Sequence, residues 1–205
     1  MHIKEKHLQL LPTLQNALLA VAVFCYWMWI APHLLFFRES MQLFLWTEDY
    51  LSERLAVPGG FAQYLGECIV QLFLNPAIGA GCYALMAVMT KIISARLLSS
   101  VITDKVRWSW FTLLPPLVLW YITTVPTIPM TVPVALLLTI TLMAILPDNP
   151  RSSMWLTIVL VPTVYWLLGP AIVLLPLYHL RFLHRAQRFH IVTVVLGTLL
   201  LLAGS

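Results

Sequence analysis

Seven apolar stretches follow one another along this chain, and they constrain its fold more than any other feature. Sixty per cent of the residues are hydrophobic and 10% are charged, which excludes an ordinary soluble globular protein. Because lipid offers no partners to backbone polar groups, such stretches predict helices. We predict an all-α, polytopic transmembrane helical bundle, a single domain over residues 1–205, with about seven spans near 17–37, 76–98, 108–124, 130–146, 153–168, 171–183 and 190–203.

The basic residues predict the orientation of these spans. With a cytoplasmic N-terminus, ten of the twelve Lys and Arg residues fall on the cytoplasmic side, and only Arg38 and Arg54 fall outside. This distribution obeys the positive-inside rule, and it accounts for the net charge of +4 without nucleic-acid binding. We predict a multi-pass protein of the bacterial inner (cytoplasmic) membrane. The lipid bilayer is its partner, and the first span is an uncleaved anchor.

Other features of the sequence leave several interpretations open. Prolines within the spans indicate broken helices, which either line a substrate cavity or serve packing alone. A basic run at 177–190 either contacts anionic lipid or binds a substrate phosphate. The last span is short and the chain stops directly after it, so we expect the N-terminal part of a longer protein. The cysteines have no paired spacing and are interpreted as core residues: Cys25, Cys68 and Cys82.

Residues 38–75 form an outer polar segment that carries five of the eight acidic residues. At about 100° per residue, positions 40–57 predict an amphipathic helix that lies along the membrane surface. Its apolar arc consists of Leu43, Phe44, Trp46, Tyr50, Leu51 and Leu55. Its polar arc consists of Glu48, Asp49, Ser52 and Glu53.

The acidic arc has two interpretations. It is either the solvated face of an interfacial helix, or it supplies a carboxylate that acts as a general base or holds a metal ion at a membrane cavity. Under the second interpretation, Glu48 and Asp49 are the catalytic candidates. A divalent metal ion is then a candidate cofactor, although the sequence does not fix its ligands.

A polar stripe follows the Pro58-Gly59-Gly60 turn. Gln63, Glu67, Gln71 and Asn75 recur at four-residue steps on an otherwise apolar helix. A charged group at lipid depth costs about 2.5–3.5 kcal/mol, so we predict that the stripe faces water or the protein interior. The four residues are candidate substrate-binding residues, and the alternative is that Glu67 is simply hydrated at the interface.

Residues 44–80 resemble the N-terminal region of a large membrane family of unknown function found mainly in Bacteroidetes. The shared pattern is an aromatic-rich loop, a PGG turn, a YLG segment and a later glutamine, here Pro58, Gly59, Gly60, Tyr64, Leu65, Gly66 and Gln71. This resemblance implies a polytopic membrane protein, typically longer than this chain, and no established activity.

The order of parts is also similar to that of C-type integral-membrane glycosyltransferases. Those enzymes follow helix one with a large outer loop that contains surface helices and a catalytic acid, and short hairpin spans come next. The similarity implies that Glu39 or the Glu48-Asp49 pair is the catalytic acid, and it is a fold-level analogy.

Three functions stay open. The first is transfer of a sugar or similar group from a lipid-linked substrate on the outer face, with the polar stripe at the donor head group. The second is a transporter or flippase, and the third is a non-catalytic membrane component of an envelope-assembly complex. The sequence contains no Gly-rich phosphate loop, nucleophile elbow or HExxH motif, and it does not indicate protein partners.

Overall fold

The computed structural model of the protein describes residues 2–99, 109–146 and 150–175. Every regular element within these ranges is a helix, which confirms the all-α prediction. The α-helices are α1 His2–Cys25, α2 Pro32–Met41, α3 Glu48–Leu55, α4 Gly60–Gln71, α5 Pro76–Ser99, α6 Leu114–Thr124, α7 Thr131–Ile145 and α8 Pro150–Leu168. A π-helix occupies Tyr26–Ile30, and 3-10 helices occupy Leu72–Leu74, Ser109–Leu113 and Gly169–Val173.

Two stretches among the described residues are long and apolar enough to cross a membrane. They are Pro12–Ile30 and Pro76–Ser99, each with a mean hydropathy of 1.5. Shorter apolar helices occupy Thr131–Ile145 and Leu160–Val173. A helix of about 20 residues is needed to cross the hydrocarbon core, so seven full-length spans are not supported. The seventh predicted span, most of the sixth and the basic run at 177–190 lie outside the described residues.

The first span ends earlier than the sequence predicts. At Tyr26–Ile30 the helix widens into a π-helix, in which the Ala31 N–H donates to the Tyr26 carbonyl at 2.9 Å. Ala31 then leaves the helical conformation, with φ −126° and ψ 37°, and Pro32 begins α2. Proline has no N–H and its ring crowds the preceding turn, so it starts a helix more readily than it continues one. The predicted span 17–37 is therefore interrupted at Ala31.

The described residues form two compact units, which we describe separately. The first contains those of Met1–Phe44 and Gly66–Pro133, and the second contains those of Leu45–Leu65 and Val134–Ser205. In the first unit α1 packs against α5. The fully buried Trp27 stacks on Tyr83 with a centroid distance of 4.3 Å, and Phe73 lies 5.1 Å from the same Tyr83 ring. These aromatic rings bury large apolar surfaces and form the centre of this core.

A buried lysine also joins α1 to α5. Lys91 is 2% exposed, and its Nζ donates to Asn16 Oδ1 at 2.6 Å and to the Pro12 carbonyl at 3.2 Å. Pro12 stands at the start of the first apolar stretch, which is the cytoplasmic end under the predicted orientation. The two oxygen partners satisfy an ammonium group that would be costly to bury without them.

In the second unit, two glycines in the left-handed conformation lie against each other. Gly59 has φ 80° and Gly169 has φ 71°. A Cβ on Gly59 would meet Gly169 Cα at 3.4 Å, so the two backbones are in close contact. Glycine adopts positive φ without the steric penalty that other residues incur, which explains the choice of residue at both positions.

The predicted surface helix at 40–57 is wrong in its first part. Residues 42–47 have no regular structure, and only Glu48–Leu55 form the helix α3. Thr47 is the N-cap, and its hydroxyl accepts a hydrogen bond from the Tyr50 N–H at 3.3 Å. Within α3 the two predicted arcs hold: the acidic side is exposed, whereas Tyr50, Leu51 and Leu55 are half-buried.

Candidate functional site

Three of the four predicted stripe residues share one face of α4. Gln63, Glu67 and Gln71 follow at four-residue steps within this helix. Glu67 is only 5% exposed, whereas Gln63 and Gln71 are half-buried. The burial of Glu67 agrees with the prediction that the stripe does not face open lipid.

Asn75 does not continue this face. The 3-10 turn Leu72–Leu74 ends α4, and Asn75 has an extended backbone with φ −104° and ψ 111°. Its Oδ1 accepts a hydrogen bond from the Ala77 N–H at 3.0 Å, at the start of α5. Asn75 is thus the N-cap of α5 with Pro76 at the first helical position, a favoured combination. The prediction that all four residues lie on one helical face is wrong for Asn75.

The end of α4 contacts the end of α2. Gln71 Nε2 donates to the Gln42 carbonyl at 3.2 Å, and Gln42 is the C-cap of α2. One turn before this contact lie Arg38 on α2 and Glu67 on α4, both buried. We refer to Arg38, Gln42, Glu67 and Gln71 as the α2–α4 junction. It belongs entirely to the first unit.

Arg38 is the most constrained side chain of the junction. It is 4% exposed, and its guanidinium donates to three backbone carbonyls, those of Thr123 at 3.0 Å, Val125 at 2.8 Å and Ile128 at 2.7 Å. These carbonyls belong to the end of α6 and the loop after it. No carboxylate of the described residues pairs with this guanidinium, and no described atom accepts from its Nε–H. The planar guanidinium of arginine can bind three separate carbonyls because its N–H groups diverge in fixed directions.

A glycine lets α4 approach its neighbour closely. A Cβ on Gly66 would lie 2.9 Å from Thr131 N and 3.0 Å from Met130 C, both backbone atoms. Real Cβ atoms do not approach backbone this closely, so the contact requires glycine. Gly66 directly precedes Glu67, and the contact therefore positions the carboxylate-bearing turn against the start of α7.

The three catalytic candidates are carried by α2 and α3. Glu39 is half-buried near the end of α2, whereas Glu48 and Asp49 are exposed in the first turn of α3. Carboxylates in a first helical turn interact favourably with the helix dipole, so Glu48 and Asp49 also have a structural account. Within residues 2–99, 109–146 and 150–175, no three His, Cys, Asp or Glu side chains are grouped as a metal site would require.

Sequence reasoning missed the role of Arg38, which it used only to orient the helices. Its one available signal was that Arg38 and Arg54 are the two basic residues on the predicted outer side. The three carbonyl partners lie 85 to 90 positions away along the chain, and no local pattern points to them.

The chain belongs to a family of unknown function, DUF6057, whose sequence profile matches residues 6–205. This agrees with the resemblance of residues 44–80 to a family without an established activity. No protein of curated function and no solved structure matches the chain.

Proposed function

We propose that this protein is a multi-pass protein of the bacterial inner membrane that transfers a sugar or similar group from a lipid-linked donor on the outer face. The observation that carries the proposal is the buried, positively charged Arg38 beside Gln42 at the α2–α4 junction. The alternatives are a transporter or flippase and a non-catalytic component of an envelope-assembly complex.

Exposed apolar stripes support the membrane location. On the first apolar stretch, Leu14, Leu18 and Val21 are 58–62% exposed and follow at helical spacing. On α5, Leu85, Met89 and Ile92 form a similar exposed stripe. Contiguous apolar surface of this kind is unfavourable in water and favourable against lipid tails. The proposal of further spans rests on the shorter apolar helices α7 and α8 together with the charge distribution of the sequence.

The charge of Arg38 supports recognition of an anionic head group. Burying a cation is costly unless it is paired, and carbonyl dipoles compensate it only in part. A donor phosphate would supply the missing negative charge, and the Nε–H would supply a free donor. Under the positive-inside rule Arg38 is at the outer end of its helix, where a lipid phosphate would be located.

The carboxylates would supply the remaining chemistry. Glu67 and Gln71 would hydrogen-bond the hydroxyl groups of the donor sugar at the junction. Glu39, which belongs to the same unit as Arg38 and Glu67, would take the proton from the acceptor hydroxyl as its oxygen attacks the sugar, while the bond between the sugar and the phosphate breaks. The lipid phosphate would leave as the anion.

Lipid binding by the full-length protein in nanodiscs tests the head-group site. We expect native mass spectrometry to show at least tenfold tighter binding of a polyprenyl phosphate than of the uncharged polyprenol. Arg38→Met should abolish this preference, whereas Arg96→Met, at an exposed position on α5, should keep it. Equal binding of the two lipids by the wild-type protein would remove the basis of the proposal. Melting curves would identify any variant that fails to fold.

A second experiment separates a transferase from a scaffold. The readout is release of polyprenyl phosphate from a polyprenyl-phosphate-linked sugar. We expect Glu67→Gln to abolish release with little change in melting temperature, because shape is kept and only charge is lost. Glu53→Gln is the matched control, since Glu53 is exposed on α3. If Glu39→Gln leaves release unchanged, Glu39 is not the base.

A further inference from the structure

A small cavity lies in the first unit, where the π-helix meets α5 and α6. Trp27, Tyr83, Trp120 and Thr123 are among the side chains that line it, and the rest of the lining is apolar. The space open to the centre of a water molecule measures about 10 Å³. This volume is close to the minimum that a buried water needs, about 10–15 Å³ by the same measure.

Three buried polar atoms belong to these lining residues. Trp27 Nε1, Tyr83 Oη and Trp120 Nε1 have no hydrogen-bond partner among the described residues. The indole nitrogens can only donate, whereas the phenol can donate or accept. Buried polar groups in native proteins are nearly always satisfied, by protein or by ordered water. Three unsatisfied polar atoms on residues that line one cavity therefore indicate a missing partner that accepts hydrogen bonds.

Thr123 does not supply that acceptor, because the three polar atoms have no hydrogen-bond partner among the described residues, Thr123 included. Its hydroxyl donates to the Trp120 carbonyl at 2.7 Å, and its own carbonyl accepts from Arg38 at 3.0 Å. The other lining residues have apolar side chains. The partner must therefore come from outside the described protein atoms, and the size of the cavity limits it to about one oxygen atom.

We propose that this cavity binds one internal water molecule. The water oxygen accepts hydrogen bonds from the indole N–H groups of Trp27 and Trp120, and it donates one hydrogen bond to Tyr83 Oη. Three polar partners are the usual number for a buried water. The proposal is independent of the group-transfer function.

A water at this site would stabilise the π-helix at Tyr26–Ile30. The widened turn at Tyr26–Ile30 places Trp27 fully inside the core, stacked on Tyr83. Tyr26 in the same turn lies edge-on to Trp120 at 5.3 Å. A water that bridges α5, α6 and the π-helix would hold this turn in its wide form. π-Helical turns inside α-helices often occur at functional sites.

A structure of the full-length protein at about 2 Å resolution tests the site directly. We expect a water peak within hydrogen-bond distance of at least two of the three polar atoms. No density at that position, or a lipid or detergent oxygen there, would overturn the proposal.

The substitution Tyr83→Phe tests the site without depending on resolution. If water is bound, removing the hydroxyl takes away one of its partners, and the melting temperature should fall by about 2–4 °C. If the cavity is dry, the same change removes an unsatisfied polar group, and the melting temperature should stay constant or rise. Tyr121→Phe is the control, because Tyr121 is 71% exposed and should show no change.

A double-mutant cycle provides a second measurement. Tyr83→Phe and Trp120→Phe should be clearly non-additive if one water bridges the two residues. Additive effects, together with a melting temperature that does not fall in Tyr83→Phe, would exclude a shared water.

Discussion

Gly59 donates its backbone N–H to the carbonyl oxygen of Trp166 at 2.8 Å, and this bond fixes the PGG turn to the end of α8. The Trp166 indole returns a hydrogen bond from Nε1 to the Leu55 carbonyl at 2.9 Å. The two hydrogen bonds hold the turn in place, and the positive φ of Gly59 (80°) explains why this position is glycine. The PGG motif thus has a structural account within the second unit that requires no ligand.

We expect Gly59→Ala to lower the free energy of unfolding by about 1–2 kcal/mol, the cost of a side chain at left-handed φ. Gly81→Ala is the control, because Gly81 lies within α5 and a Cβ there meets nothing within 4 Å. Alanine should stabilise that position by about 0.5–1 kcal/mol. Thermal melts in detergent would measure both. Equal melting temperatures for the two variants would contradict the role of Gly59.

Gly66→Ala should also destabilise the protein, for a different reason. Its φ is not left-handed, but the new methyl group would press on the backbone at Met130 and Thr131. Overpacking of this kind costs about 1–3 kcal/mol, and backbone cannot rotate away as a side chain can. A melting temperature equal to that of the wild type would show that α4 and the start of α7 move apart at little cost.

Asn75 provides a test between capping and substrate binding. Asn75→Ala should cost about 1 kcal/mol of stability through loss of the N-cap of α5, whereas Asn75→Asp should retain the cap and the stability. Melting temperatures of the two variants decide this. If both melt like the wild type and both lose lipid binding, the side chain serves the substrate rather than the helix.

Arg38→Lys should be strongly destabilising although the charge is kept. Lysine is a point donor on a flexible chain and cannot reach three diverging carbonyls, and a hydrogen bond to a charged group is worth about 1.5–3 kcal/mol. Arg96→Lys at an exposed position should change stability by no more than about 0.5 kcal/mol. Chemical denaturation of both variants measures the difference, and a stable Arg38→Lys protein would mean that the three contacts contribute little.

Local sequence patterns predicted the helices better than their ends. The apolar run at 76–98 matches α5 within one residue because Asn75 and Pro76 mark its start. The end of the first span was missed because the apolar sequence continues past Pro32, whereas the first helix is interrupted at Ala31. Residues 42–47 carry a helical periodicity, yet they have no regular structure, because Thr47 and the two acids after it favour a new helix start.

The candidate site could be predicted only where a single helix defines it. Gln63, Glu67 and Gln71 share a face because four-residue steps fix that relation locally. The partners of Arg38 depend on how α6 ends and where its loop runs, which is tertiary information. The cavity near Trp27 depends on a π-helical turn, and hydrophobic periodicity does not distinguish such a turn from an α-helix.

Accessible-cysteine labelling tests the orientation that underlies the proposed function. In a background without Cys25, Cys68 and Cys82, which are free and half-buried, a cysteine would replace Ser40 or Ser52, both exposed. A membrane-impermeant maleimide should label both positions in intact cells, since the positive-inside rule places them outside. The control is Ser99→Cys at the exposed end of α5, close to Arg96, which should be labelled only after permeabilisation. Labelling of position 99 in intact cells with protection of positions 40 and 52 would show that the orientation is opposite to the predicted one. It would also remove Arg38 from the outer face, where the donor lipid is proposed to bind.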